Sequence, residues 1–268
     1  MTTTIATPFG DLLRRWRLAR RLSQLELSAM AEVSQRHLSY LENEKAAPSR
    51  EMVTHLGAVL DVPLRDRNAL LSAAGFAAVY PERGLDEPAM AQIQHILELI
   101  LAAHDPFPAY VIDRVWNLVL TNKSAGALVS RIIDPAEAAL FGGNLLRLSF
   151  HPRGLRRHLV NWDEAAAALL GRLERETAER PADTVLAELL DEIRAYPGVA
   201  ELPDRPEMPT GADLLVPLHL DLDDGNLRLF TTIATIGAPY DITLEELRLE
   251  TLLPADAESE ATLRLLSD

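Results

Sequence analysis

Between Ser23 and Ser49 the chain carries side chains suited to reading the edges of nucleic-acid bases. With Leu38 facing a core on a helix from Ser34 to Asn43, Leu41 falls on the same side. Arg36, Ser39, Tyr40 and Asn43 then project away from it, with Gln35 beside them at the helix start. Arginine can pair with guanine, glutamine or asparagine with adenine, and serine with either. Tyr40 suits a thymine methyl or a phosphate. Gln24 opens the preceding helix, where its side chain and the first amides can reach a phosphate. Ser34, at the start of the reading segment, and Lys45 and Arg50, just beyond it, extend the set. Polar residues on a surface helix are usually a solvated face. A shared face on the second of two helices joined by a short turn is what singles these out.

Catalytic chemistry finds less support. His151 with Asp163, and Asp223-Asp224 with His219, match no acid–base or metal-ligand spacing, and Asp223-Asp224-Gly225 reads as a hairpin turn. There is no cysteine, HExxH or phosphate-binding loop. The expectation is a protein that is not an enzyme, holds no metal and requires no cofactor. The absence of cysteine also excludes disulfides and suits a reducing compartment. No apolar run approaches the roughly 20 residues of a membrane span, and the arginines of the first 20 residues lack the apolar core of a signal peptide. A cytoplasmic protein is expected.

The elements that must position the reading face occupy residues 1–75, an all-α head of five short helices. Ser23-Gln24-Leu25-Glu26 is a capping box, Ser34 is a good N-cap, Pro48-Ser49 opens a fourth helix, and Gly75 ends the fifth. Net charge is −14 overall, but residues 1–75 carry ten Lys/Arg against eight Asp/Glu, whereas the remainder carries 16 against 32. Screening confines phosphate attraction to about 8–10 Å, so an acidic body does not forbid a basic head from binding DNA. Residues 76–106 form a linker and connecting helix. Residues 107–268 mix strands and helices: Ala109–Asp113, Trp116–Thr121, Leu214–Leu222, Asn226–Ile236 and Leu244–Leu253 as strands, with helices from Ser124, over Asp163–Glu179 and over Thr184–Tyr196. Pro197–Gly211 reads as a proline-rich loop. The class is α+β, an all-α head followed by an antiparallel sheet with packed helices.

Ser23-Gln24-x-Glu26-Leu27, Val33-Ser34-x-x-x-Leu38-Ser39-x-x-Glu42-Asn43 and Pro48-Ser49 together resemble the Cro and phage-repressor type of helix-turn-helix, which includes the xenobiotic-response-element-like regulators. The resemblance implies a buried ion pair between Arg17 and Glu42, structural rather than DNA-contacting. The chain departs from the pattern at Ser28, usually alanine, and at Glu32, usually a turn glycine; a left-handed conformation there costs a non-glycine residue about 1–2 kcal/mol. Further on, Asp113-Arg114-x-Trp116-Asn117-Leu118, Leu148-Ser149-Phe150-His151-Pro152-Arg153-Gly154-Leu155 and Val160-Asn161-Trp162-Asp163 resemble the ligand-binding half of MmyB-like transcription regulators. That resemblance implies a PAS-like sheet closed by helices around a cavity.

The expected cavity lining is Tyr110, Ile112, Trp116, Leu118, Leu146, Phe150, Trp162, Leu218, Phe230 and Thr232, with His151, Arg153, Arg156 or Arg157 placed to hold a carboxylate. The expected function is sequence-specific binding of double-stranded DNA, controlled by a small apolar ligand, a fatty acid or similar amphiphile. A homodimer is expected, because one reading helix covers only a few base pairs. The alternative is a DNA-binding protein whose second domain serves only dimerisation or protein interaction.

Overall fold

The computed structural model describes residues 7–203, 218–222 and 225–267. These form two compact units, one of Met1–Arg83 with Ala178–Thr184 and Ala238–Glu245, the other of Gly84–Thr177, Val185–Gly237 and Glu246–Asp268. Two short segments from the second half of the chain therefore belong to the first unit. Among the described residues no helix is long and apolar enough to cross a membrane.

The first unit contains the five expected helices: α1 (Phe9–Ala19), α2 (Gln24–Met30), α3 (Gln35–Glu42), α4 (Arg50–Val59) and α5 (Leu64–Ala73). Three begin on serine caps, with Ser23, Ser34 and Ser49 accepting from the amides of Glu26, His37 and Met52. At α2 the box closes, since the Ser23 amide donates to Glu26 at 2.7 Å. That backbone hydrogen bond holds the Glu26 carboxyl below its ordinary pKa.

All five helices end alike. Arg21, Glu32, Glu44, Asp61 and Gly75 have φ of +48° to +83°, and the next residue donates back to the fifth residue before it. Thus Leu22 reaches Arg17 O, Val33 reaches Ser28 O, Lys45 reaches Tyr40 O, Val62 reaches Gly57 O and Phe76 reaches Leu71 O. This is a Schellman closure. Glycine is the residue that enters it without strain, yet only Gly75 supplies one. In four of the five, the residue after the turn is apolar and packs on the unit's core (Leu22, Val33, Val62 and Phe76). Its burial offsets the left-handed strain of the residue before it.

The second unit is built on a five-stranded, wholly antiparallel sheet in the order β2-β1-β5-β4-β3: β1 (Ala109–Ile112), β2 (Leu118–Thr121), β3 (Leu218–Leu222), β4 (Gly225–Thr235) and β5 (Arg248–Pro254). Strand alternation gives the sheet two faces. Tyr110, Ile112, Leu227, Leu229 and Leu252 join the main core. Val111, Leu249 and Thr251 point the other way, toward α6 (Ala91–His104), which buries Leu97 and Leu101. The remaining helices of the chain are α7 (Lys123–Ile132), α8 (Pro135–Ala138), α9 (Leu145–Phe150), α10 (Trp162–Glu179), α11 (Thr184–Arg194), α12 (Ile242–Glu246), most of which falls in the Ala238–Glu245 segment of the first unit, and α13 (Ala257–Ser267).

The last strand begins later than its apolar pattern implies. Asp241 accepts from the Thr243 amide at 3.0 Å and starts the helical turn α12, so β5 opens only at Arg248. Helices α8, α9 and α13 are not anticipated by the sequence reading. The Asp223-Asp224 turn and residues 204–217, which include the start of the expected third strand and most of the proline-rich loop, lie outside the described residues.

Asn122 joins three elements of this unit. Its side-chain oxygen accepts from Ala125 N at 2.9 Å, capping α7, and from Ala109 N at 3.0 Å, at the start of β1. Its amide nitrogen donates to Phe107 O at 2.9 Å and Leu101 O at 3.3 Å. Asn122→Ala orphans these buried groups at once, each worth about 1–3 kcal/mol. We expect the second unit to lose roughly 3 kcal/mol or more, read as a drop in the midpoint of its urea transition with the first unit's midpoint unchanged. A shift below half a kcal/mol would contradict this role.

Candidate nucleic-acid interface and ligand cavity

The placement of α3 follows from what lies behind it. Leu38 and Leu41 are buried, and Glu42 closes the helix in the interior. Arg17, on α1, donates to Glu42 in a bidentate pair, Nε to Oε1 at 2.6 Å and Nη2 to Oε2 at 3.0 Å. The same carboxylate accepts from Gln24 Nε2, on α2, at 2.8 Å. Arg17 Nη1 also donates to Leu22 O at 2.8 Å. The hydrogen-bonded carboxylate raises the Arg17 guanidinium above its ordinary pKa, against the opposing effect of burial. Gly10 completes the contact: a Cβ there would meet the Glu42 and Leu41 carbonyl oxygens at 2.6 and 2.7 Å.

The opposite side of α3 is open. Ser34, Gln35, Arg36, Asn43 and Lys45 are exposed, and Ser39 and Tyr40 are half-buried. Arg36 lies 5.3 Å over the Tyr40 ring and donates from Nε to Tyr40 Oη at 3.0 Å. Tyr40 therefore fixes the direction of the arginine fork. Asn43 Nδ2 donates to Ser39 O at 2.7 Å, one turn back. Two other candidates, and Arg20 on α1, have partners of their own. The Gln24 side chain is taken by Glu42. Arg50 stacks at 5.9 Å on Phe76 and donates to Ala77 O. Arg20 closes the carbonyl end of α4 through Leu60 O and Asp61 O.

The second unit holds a partly open cavity of about 710 Å³. Its wall is mainly apolar, with Leu128, Ile132 and Ile133 from α7 and its end, Leu145 and Leu148 from α9, Leu169 from α10, and Ile233 and Leu252 from the sheet. A folded interior has few voids larger than a water molecule, so this volume exceeds a packing defect. It lies within the usual range of small-molecule sites, about 300–1,000 Å³.

Tyr110, Leu118 and Leu218 line the cavity as expected, and most of the other candidates do not. Trp116, Leu146, Phe150 and Ile112 are fully buried core. Phe230 and Thr232 alternate with Thr231 and Ile233, which face the cavity, and so point to the other side of the sheet; Thr232 lines the groove beneath α6. His151 is held between the rings of Phe141 and Tyr196, at 5.3 and 5.6 Å. Trp162 packs edge-on against Phe150 beneath Arg156. The four proposed carboxylate holders are also elsewhere. Arg156 donates to Pro197 O and Arg157 to Glu137, and neither they nor His151 and Arg153 belong to the lining.

The cavity instead meets polar groups that the sequence reading missed. Arg172, Arg175 and Glu250 line it. Arg172 Nη2 lies 2.6 Å from Glu250 Oε1, and its Nε donates to Glu176 Oε1 at 2.9 Å. Tyr110 Oη donates to Glu250 Oε2 at 3.1 Å. Arg172 and Arg248 both stack on Trp116, at 4.2 and 5.5 Å, and Trp116 Nε1 donates to Glu176 Oε2 at 3.0 Å. Arg248 pairs with Glu176 as well. Two arginines and two glutamates thus balance in a mostly buried cluster. Burial and the neighbouring Glu250 charge push the Tyr110 hydroxyl well above its ordinary pKa, so it stays a donor. Burial disfavours the Arg172 charge, but Glu250 and Glu176 outweigh it and raise its pKa. Arg175 is exposed at the rim. One signal was available: Glu250 is the lone acid within the apolar strand Leu249–Leu253, on the same face as Leu252.

Comparison with known proteins agrees with this division. Residues 93–266 match the family described as MmyB-like transcription regulator ligand binding domain, and residues 13–66 match the helix-turn-helix family. The uncharacterized HTH-type transcriptional regulator RghRB of Bacillus subtilis (strain 168) is 36% identical over 77 residues, 28% of this chain and 53% of that protein. The chain thus spans about half the length of that curated relative. Among solved structures, an RNA-binding light-oxygen-voltage receptor shows 14% identity and a TM-score of 0.28, over 97% of this chain and 61% of that one. A likeness that slight carries no argument.

Removing one partner of a buried ion pair leaves the other charge uncompensated. Arg17→Met or Glu42→Leu alone is expected to cost the first unit about 3–5 kcal/mol, whereas the double replacement costs clearly less than the sum. A double-mutant cycle by urea unfolding checks this, and additive losses would contradict the pairing.

Proposed function

Since the chain belongs to the MmyB-like transcription regulators, we propose that it binds double-stranded DNA sequence-specifically through α3 and responds to a small apolar or fatty-acid-like ligand held in the cavity. The observation that carries the first half is the open polar face of Arg36, Ser39, Tyr40 and Asn43, held from behind by Leu38, Leu41 and Glu42. Gln35 and Ser34 lie at the start of that face, and Lys45 and the Gln24 amide serve phosphates. Arg36, held by Tyr40, is the residue assigned to guanine.

The 710 Å³ apolar cavity supports the second half. A module serving only dimerisation or protein interaction has no need of it. The sheet order supports a PAS-like reading of the sensor. We read the protein as a cytoplasmic homodimer on a palindromic site, with no metal and no required cofactor. Ligand acts as an effector only by binding the DNA-competent and DNA-incompetent states unequally.

Two measurements test this reading. Arg36→Ala should weaken binding to the selected operator by about 1–3 kcal/mol and relax base preference. Lys45→Ala should weaken all sequences alike and reduce the salt slope. Equal loss on every sequence for Arg36→Ala would remove the base-reading role. Organic extraction of the purified protein followed by mass spectrometry should release an alkyl amphiphile. An apo protein whose melting temperature no alkyl compound raises would leave the second unit as an interaction module.

A further inference from the structure

We propose that the connection between β4 and β5, Ala238–Glu245, is the strap through which an occupied cavity acts on the helix-turn-helix head, by holding or releasing the start of α5. The proposal rests on the reading that the cavity senses a ligand and the head binds DNA, and it names the regulation that joins them.

Helix α5 lacks a cap of its own. Ser23, Ser34 and Ser49 serve α2, α3 and α4, but α5 opens on Pro63, which has no side-chain acceptor to offer. Glu245 fills that place from 181 residues further along the chain, its Oε2 accepting from the Leu64 amide at 2.7 Å. A carboxylate suits this place, since it meets both an orphan amide and the positive end of the helix dipole. Two further contacts secure the same segment. Asp241 is buried and accepts from Arg83 Nη1 at 3.0 Å, and the Ile242 amide donates to Pro81 O at 2.9 Å. Ile242 is itself buried, so apolar contact adds to the polar grips. All of these partners belong to the first unit.

Both ends of the segment continue into strands that line the cavity. Two residues separate it from β4, whose Thr231 and Ile233 line the wall, and two separate it from β5, which carries Glu250 and Leu252. The hand-over at the second end is abrupt. Glu245 grips Leu64 of the first unit, while the next residue, Glu246, pairs at 3.6 Å with Arg114, in the turn between β1 and β2 of the second. Both glutamates lie in the short helix α12, and consecutive Cα atoms are about 3.8 Å apart. A displacement of Glu246 with the sheet cannot leave Glu245 in place unless α12 unwinds.

Helix α10 provides a second attachment. Leu169 and Arg172 line the cavity, and the last residues of the helix, Ala178 and Glu179, lie in the first unit. Ala182, just beyond, packs on the core of the head. Two walls of one cavity, a helix and a strand pair, thus run on without a break into the unit that carries α3. Within that unit Leu70 and Leu71 of α5 share a core with Leu13 and Trp16 of α1, and α1 holds α3 through Arg17 and Glu42.

The test uses full-length protein with a permanent occupant. The chain has no cysteine, so Val129→Cys on the cavity wall gives one attachment point. Dodecyl methanethiosulfonate places an alkyl chain there, and methyl methanethiosulfonate serves as the reference. Affinity for the selected operator should differ between the two labels by at least about fivefold, the low end of ordinary allosteric coupling. Hydrogen exchange at the Leu64 and Ile242 amides should differ as well. Glu245→Ala with Arg83→Ala releases the two side-chain grips and touches neither the outer face of α3 nor the cavity. This variant should still bind operator and take the dodecyl label, but the difference between labels should fall below about twofold. Glu245→Gln keeps an acceptor for Leu64 and should retain most of the coupling.

A difference that persists undiminished in the double variant would overturn the strap while leaving the sensing reading intact. Equal operator affinity under the two labels, in a chain altered only at Val129, would remove the sensing reading and the strap together. Changed operator affinity with identical exchange at Leu64 and Ile242 would overturn the strap alone, and that measurement decides the matter even if the double variant does not fold.

Discussion

The Glu42 carboxylate is where three helices of the first unit are tied together. It closes α3, takes both arms of Arg17 from α1 and accepts from Gln24 at the head of α2. An apolar contact would hold these helices equally close but would tolerate sliding and rotation. A bidentate guanidinium–carboxylate pair does not, because its two hydrogen bonds fix direction as well as distance. On the proposed reading the side chains on the outer face of α3 meet base edges at hydrogen-bond range, so their direction matters more than the strength of the pair. Gly10 serves the same end by letting the α1 backbone approach the carbonyls of Leu41 and Glu42.

The second unit repeats this logic with a larger cluster. Arg172, Arg248, Glu176 and Glu250 are stacked on or bonded to Trp116 and Tyr110, joining α10 to β1, β5 and the turn before β2. Trp116 itself sits at φ +67°, an uncommon conformation for a bulky residue. Asp113 supports that turn by accepting from the Val115 and Asn117 amides and the Asn117 side chain. The strain is thus located where the indole must lie flat beneath two arginines. Both clusters cost desolvation, and in both the return is fixed geometry at a site rather than net stability.

The legible parts of this protein were those that local chemistry dictates. The five helices of the head, their serine caps and the open face of α3 follow from a few residues at short range, and the Arg17–Glu42 pair from the resemblance to the Cro-type helix-turn-helix. The helix ends were less legible. Arg21, Glu44 and Asp61 adopt the conformation usually signalled by glycine, because the following residue or a long-range contact stabilises the turn. The cavity was harder still. Trp116, Phe150 and Leu146 are large and apolar, and such residues serve a packed core as readily as a ligand site. Phe230 and Thr232 were assigned to the cavity face, which strand parity gives to Thr231 and Ile233. A one-residue error of that kind reverses every side chain on a strand. His151 and its neighbouring arginines occupy a conspicuous stretch of sequence, but aromatic and carbonyl contacts there account for His151, Arg156 and Arg157.

Placing balanced charges at the edge of an oily cavity has a consequence for selectivity. An apolar pocket distinguishes chain lengths weakly, by about 1–3 kcal/mol per methylene at most, and accepts many tails. Buried polar groups discriminate much more strongly, because a ligand that fails to satisfy them leaves them unpaired. In this unit α7, α9 and β4 supply an apolar wall, while Arg172, Glu250 and Tyr110 pair with one another at its edge. Glu250 is on β5, the central strand of the sheet, hydrogen-bonded on both sides to β1 and β4. The neighbours of this strand on either side carry other parts of the cavity wall. Displacing such a strand must shift its partners with it, and that makes the sheet, rather than a surface loop, the element through which occupancy can alter the unit.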